Sequence, residues 1–110
     1  MKKLLTLTLL TVFALPVFAA DWKNAPVVDV QCSSRVKANP DAHTKDCATK
    51  CARSGFGIYT SDGQFLKFDS KGNKEFLNEL QKTDKKDHLR VNVKGEQSGD
   101  TIKVDSVNLT

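Results

Sequence analysis

Three cysteines and a histidine in one short span hold the sharpest chemistry of this chain: Cys32, then His43, Cys47 and Cys51. Three thiolates and an imidazole form a soft donor set suited to zinc or copper(I). Spacing restricts its use. On one regular helix, His43 and Cys51 would lie about 12 Å apart along the axis. All ligands of a tetrahedral zinc sit about 2.0–2.3 Å from the ion. A four-ligand site therefore needs His43 in the turn ahead of the helix, folded back. A site of Cys32, Cys47 and Cys51 is easier, because side chains four residues apart share a helix face.

The same cysteines can instead form a cross-link. Three is an odd number, so one thiol is left free, metal-bound, capped, or shared between two chains in a covalent dimer. A Cys47–Cys51 bridge inside one helix is awkward, since the Cα separation there is near the upper limit. Cys32–Cys47 and Cys32–Cys51 each close a loop of roughly 15–20 residues, which stabilises by about 3 kcal/mol in the chain-entropy treatment. One of these two is the expected disulfide, and the remaining cysteine packs as a small hydrophobe. The metal site and a thiol-redox role are the alternatives. A redox pair of the common kind has Cys-x-x-Cys at a helix start, whereas Cys-x3-Cys here falls within the predicted helix. His43 alone reads as a solvated first-turn residue, and His88, beside Asp84 and Asp87, as surface. No nucleophile–base constellation or phosphate-binding glycine loop is present. No residue is assigned a catalytic role.

The N-terminus sets the redox context. Met1-Lys2-Lys3 precedes an apolar run from Leu4 to Phe18, followed by Ala19-Ala20-Asp21. A basic head, an apolar stretch and small residues at the cut describe a secretory signal peptide over 1–20, cleaved after Ala19 or Ala20. The run falls short of the ~20 residues that span a bilayer. This predicts a periplasmic or secreted protein without a transmembrane segment, in a compartment where disulfides persist. Of the 17 basic side chains, Lys2 and Lys3 leave with the leader, and none of the 13 acids does, so the net charge falls from +4 to +2. That is ordinary solubility rather than a polyanion-binding surface.

Residues 21–110 are predicted to form a single small domain. Asp21–Pro26 reads as an arm, and Val27–Cys32 as a strand with Val28, Val30 and Cys32 on one face. Ser33–Pro40 is a polar connection. A helix over Ala42–Arg53 follows, with Asp41 as its cap, Gly55 beyond its end, and Cys47, Ala48, Cys51 and Ala52 inward. Phe56–Thr60 and Gln64–Phe68 form a hairpin around Asp62-Gly63. Asn73 caps a short amphipathic helix over Lys74–Lys82 that shows Phe76, Leu77 and Leu80. Leu89, Val91 and Val93 mark a half-buried strand. Thr101–Leu109 is the last strand. Val107 and Leu109 are out of phase with Ile102 and Val104, which places a bulge at Asp105-Ser106.

The order β-α-β-β-α-β-β describes a mostly β (α+β) domain, a small five-stranded OB-like barrel. Such barrels can bind oligonucleotides on aromatic platforms in a basic groove. Here Phe56 and Phe65 read as core, leaving only Tyr59 and Phe68, near Lys67 and Lys71, for that role, which argues against nucleic acid.

Asp46-Cys47-Ala48-Thr49-Lys50-Cys51, Ser54-Gly55, the earlier Cys32, Val91-Asn92-Val93-Lys94-Gly95 and Gly99-Asp100-Thr101-Ile102-Lys103-Val104 together resemble a group of small exported bacterial proteins. These share a Cys…Cys-x3-Cys pattern and a C-terminal GDTI hairpin. The chain departs from the pattern at Ser33, where glycine is expected, and at His43, four residues before Cys47 rather than three. More loosely, the layout is similar to periplasmic bacterial OB-fold proteins. The resemblance implies no activity. The expectation is a non-enzymatic envelope domain that binds a small ligand or an envelope protein and is stabilised by a cysteine cross-link.

Overall fold

The alternating apolar positions of the C-terminal third form two long strands that dominate the architecture. In the computed structural model, which describes residues 16–110, β4 (Arg90–Ser98) buries Val91, Val93 and Gly95, and β5 (Thr101–Leu109) buries Ile102, Val104 and Val107. Their register slips by one residue where Lys94 pairs with Ser106 but Gly95 pairs with Val104. Asp105 is the extra residue, as the phase change in the sequence requires. Gly95 sits opposite this bulge. A Cβ there would lie 2.3 Å from the Lys103 carbonyl oxygen, so only glycine allows the strands to close.

The remaining strands are β1 (Val17–Asp29), β2 (Phe56–Tyr59) and β3 (Phe65–Phe68). They close with the first two into a barrel of order β1-β2-β3-β5-β4, in which only β3 and β5 run parallel. This is the small OB-like barrel expected from the element order. Phe56, Ile58, Leu66, Phe68, Phe76, Leu80, Leu89 and the inward valines fill one core.

Several local expectations are corrected. The arm Asp21–Pro26 is strand, because β1 runs unbroken from Val17 beside β4. It bulges at Lys23-Asn24, and Asn24 takes φ +52°. The leader expected over 1–20 lies largely outside the described residues. Val17–Ala20, within it, pair with Gly95–Ser98, leaving Val17 and Phe18 56% and 61% exposed. β1 stops at Asp29; Val28 is fully buried, while Ala25 and Val27 join the core cluster. Pairing of Ile58 with Leu66 turns Leu66 and Phe68 inward and sets Phe65 over Tyr59, ring centroids 5.1 Å apart. Phe65 is therefore half-buried, while Tyr59 and Phe68 are buried, the reverse of the phase expected for this strand.

The helices shift as well. The connection after β1 contains α1 (Ser33–Val36) and a 3-10 turn (Pro40–Ala42). The long helix expected over Ala42–Arg53 is reduced to α2 (Lys45–Lys50) and a second 3-10 turn (Ala52–Ser54). Thr44 caps α2 by accepting from the Cys47 N–H at 3.2 Å. Asp41, expected to cap, instead holds Arg90. The final helix, α3 (Ser70–Lys82), starts earlier than expected. Asp69 caps it by accepting from the Gly72 N–H at 3.0 Å, and the same oxygen accepts from the Val104 N–H at 3.3 Å. One side chain thus ends the preceding strand and fastens the helix to β5. Asn73 lies inside α3, and its side-chain oxygen accepts the Phe56 N–H at 2.8 Å. Among the described residues, no helix is long and apolar enough to cross a membrane.

Candidate metal and thiol site

Asp29 is the last residue of β1 and shares the inward parity of Ala25 and Val27. A carboxylate buried there needs partners. One oxygen, Oδ2, accepts the Cys32 N–H at 2.9 Å. This side chain-to-backbone bond shapes the turn that folds Cys32 back beside the strand end. The other oxygen, Oδ1, faces His43 Nε2 at 2.6 Å. Asp29 is 0% and His43 4% exposed. The two atoms form a buried contact pair, and neither has another partner among the described residues. A buried carboxylate and imidazole that rely on each other alone are costly to desolvate, and such groups call for an explanation.

His43 stands in the turn ahead of α2, between the 3-10 turn and the Thr44 cap, with extended backbone. That is the placement a folded-back histidine requires. The expectation of a solvated first-turn residue is overturned: the side chain is buried against Asp29. His88 is exposed and lies 2.9 Å from Asp87, as surface residues do.

α2 sorts the two later cysteines. Ala48 turns into the core, Cys51 closes the helix half-buried, and Cys47 points to solvent. Cys47 was expected on the inner face. Cys51 caps the helix end with φ −101° and ψ 16°, its N–H bonded to the Cys47 carbonyl at 3.1 Å. Cys51, not Cys47, meets Cys32. The Cys32 and Cys51 sulfurs and a carboxylate oxygen of Asp29 all lie within 4.8 Å of one another. All three thiols are free in this structure. Arg35 Nη2 donates to the Cys32 sulfur at 3.9 Å. Burial pushes the Cys32 thiol up from its ordinary range, and the neighbouring Asp29 and Cys51 add to the rise.

The donor set at the barrel end is therefore two sulfurs and one carboxylate, with the imidazole touching the carboxylate. Sulfur and oxygen ligands of this kind suit zinc, and a carboxylate is a poor choice for copper(I). Of the four sequence candidates, Cys32 and Cys51 lie together beside Asp29, His43 lies against Asp29, and Cys47 is exposed. Asp29 was missed. Its signal was a lone acid inside the β-branched run Val27-Val28-Asp29-Val30, where a strand offers no reason for a charge. The aromatic pair considered for bases, Tyr59 and Phe68, is 7% and 5% exposed and offers no platform. Compared with protein-family models, curated proteins and solved structures, the chain finds no match in any of the three.

Proposed function

We propose that this chain is an exported, non-enzymatic binding domain and that the species bound at its barrel end is a zinc ion. The observation that carries the reading is the meeting of Asp29, Cys32 and Cys51 within 4.8 Å, beside the buried Asp29–His43 pair. A dication would displace the thiol protons of Cys32 and Cys51 and meet the charge of the Asp29 carboxylate. Cys32, Cys51 and Asp29 would hold the ion, leaving a position open to water. His43 holds the carboxylate from behind, in the manner of imidazole–carboxylate pairs around zinc. The sequence alone ranks a disulfide ahead of a metal. The buried Asp29–His43 pair reverses that order, because a disulfide needs neither group.

The second reading is a Cys32–Cys51 cross-link, favoured by the closeness of the two sulfurs and by export to an oxidising compartment. In both readings Cys47 is the odd thiol and the site for a covalent dimer. Intact mass, free-thiol count and metal analysis of protein isolated without reductant separate the two. One equivalent of zinc, lost in Cys32→Ser, Cys51→Ser and Asp29→Asn but kept in Cys47→Ser, is the expected result. At a free zinc concentration 100 times its Kd, the ion would stabilise the fold by about 2.7 kcal/mol, reversed by a chelator. A mass two hydrogens low, with one free thiol and no metal, would establish the cross-link instead.

A further inference from the structure

A second concavity lies away from the thiols, where the bulge of β1 faces the connection between β1 and β2. It is a cleft of about 550 Å³, within the range of small-molecule sites. Trp22, Pro26, Pro40 and Tyr59 form its apolar walls. Trp22 is only half-buried, so an aromatic face remains beside the opening.

The two sides of this cleft are tied together before any ligand arrives. Arg90 donates through Nε and Nη2 to the Asp41 carboxylate at 3.0 and 2.7 Å, and through Nη1 to the Asn24 carbonyl at 2.9 Å. Asp41 follows Pro40 on one wall, and Asn24 is the left-handed bulge residue on the other. The Asn24 N–H donates to the Asn92 side chain at 2.8 Å. Backbone strain held in place by side chains, and a bulge that re-aims neighbouring residues, are features of ligand sites. A pre-tied cleft also loses less entropy on binding.

Charge selects the ligand. Lys23 and Lys37 line the cleft, are exposed, and form no ion pair among the described residues. Asp21 is the single acid among the lining residues. We propose that this cleft binds a small aromatic carboxylate, with its ring on Trp22 and its charge met by Lys23 and Lys37. The site is separate from the zinc ligands, so either proposal can fail alone.

The chain has one tryptophan, so its fluorescence reports on this cleft directly. Phenylacetate is expected to change Trp22 emission saturably. Neutral 2-phenylethanol and non-aromatic cyclohexylacetate should each bind at least about fivefold more weakly, the scale of one exposed charge contact or one ring contact. The Lys23→Glu/Lys37→Glu double variant should weaken phenylacetate about tenfold while keeping its thermal midpoint and zinc stoichiometry. Amide chemical shifts of Asn24 and Lys37 give a second readout that does not depend on tryptophan. Equal binding of the three compounds, no loss in the lysine variant, or no saturable change would each overturn the proposal.

Discussion

The barrel and the excursion Val30–Gly55 that joins its first two strands are held by different means. Barrel strands bury alternate apolar side chains in one hydrophobic cluster, with Asp29 at the end of β1 the one charged strand residue buried beside it among the described residues. The excursion sends chiefly Ala48 into that core, with Ala52 packed partly against it. Its helices are four and six residues long, too short to be stable alone. What fastens it is polar: Asp29 to Cys32 and His43, Asp41 to Arg90, the Tyr59 hydroxyl donating to the Ser33 carbonyl, and the Lys45 amine donating to the Thr83 carbonyl at 2.7 Å. Apolar burial tolerates any ordering of similar residues. Polar anchors need particular partners, and they gather the reactive side chains in the excursion rather than in the barrel.

The comparison is tested most severely through Phe76, fully buried with its ring edge-on to Phe56 at a centroid distance of 4.6 Å. Phe76→Ala should cost about 3–5 kcal/mol and lower the urea midpoint of barrel and excursion together. Loss confined to one region would show that they do not share a core.

His43→Ala comes next. It strands the buried Asp29 and should cost about 3 kcal/mol. Hydrogen exchange should accelerate over residues 31–54 while β4 and β5 stay protected. Replacing Asp29 and His43 together with leucine should cost less than His43→Ala alone, since no buried charge is then left without a partner. Uniform exchange across the chain would erase the proposed distinction between the regions.

The Asp41–Arg90 pair sharpens it on a smaller scale. Hydrogen bonds from Arg90 hold the Asp41 carboxyl below the usual aspartate range, against an opposing push from partial burial. A carboxyl lowered in the folded state adds stability that is complete above its unfolded value, about 3.9, and is lost as pH falls through the lower folded value. Arg90→Ala should cost about 1 kcal/mol at neutral pH. Its deficit should shrink in acid, as measured by denaturation at pH 7 and below pH 3. The smallest effect is expected at the other end of the barrel. Deleting residues 1–20 removes the pairing of Val17–Ala20 with β4, but β4 keeps β5 on its other side. The change in stability should stay within about 0.5 kcal/mol.

Much of the barrel was legible because its signals are local. The period-2 pattern of Leu89, Val91 and Val93, the phase change at Asp105 and the Asp62-Gly63 turn each concern neighbours in sequence. The error of parity in the barrel lay in β3, at Phe65 against Phe68, where both faces are apolar and only the facing strand chooses between them. In the excursion, Thr44 and Asp41 are both competent caps. Arg90, 49 residues away, decides by engaging Asp41.

By itself, the sequence determined the class of fold, the order of its elements and the residue types available for chemistry, because hydrophobic period and turn chemistry act within a few residues. Only the tertiary structure decided which cysteine meets Cys32, that His43 is buried, and that Asp29 joins them. Those outcomes depend on where α2 ends relative to the end of β1, and on a buried carboxylate whose partners come from distant parts of the chain. Pairings of that kind follow from the closed barrel and leave no periodic trace in the residues that make them.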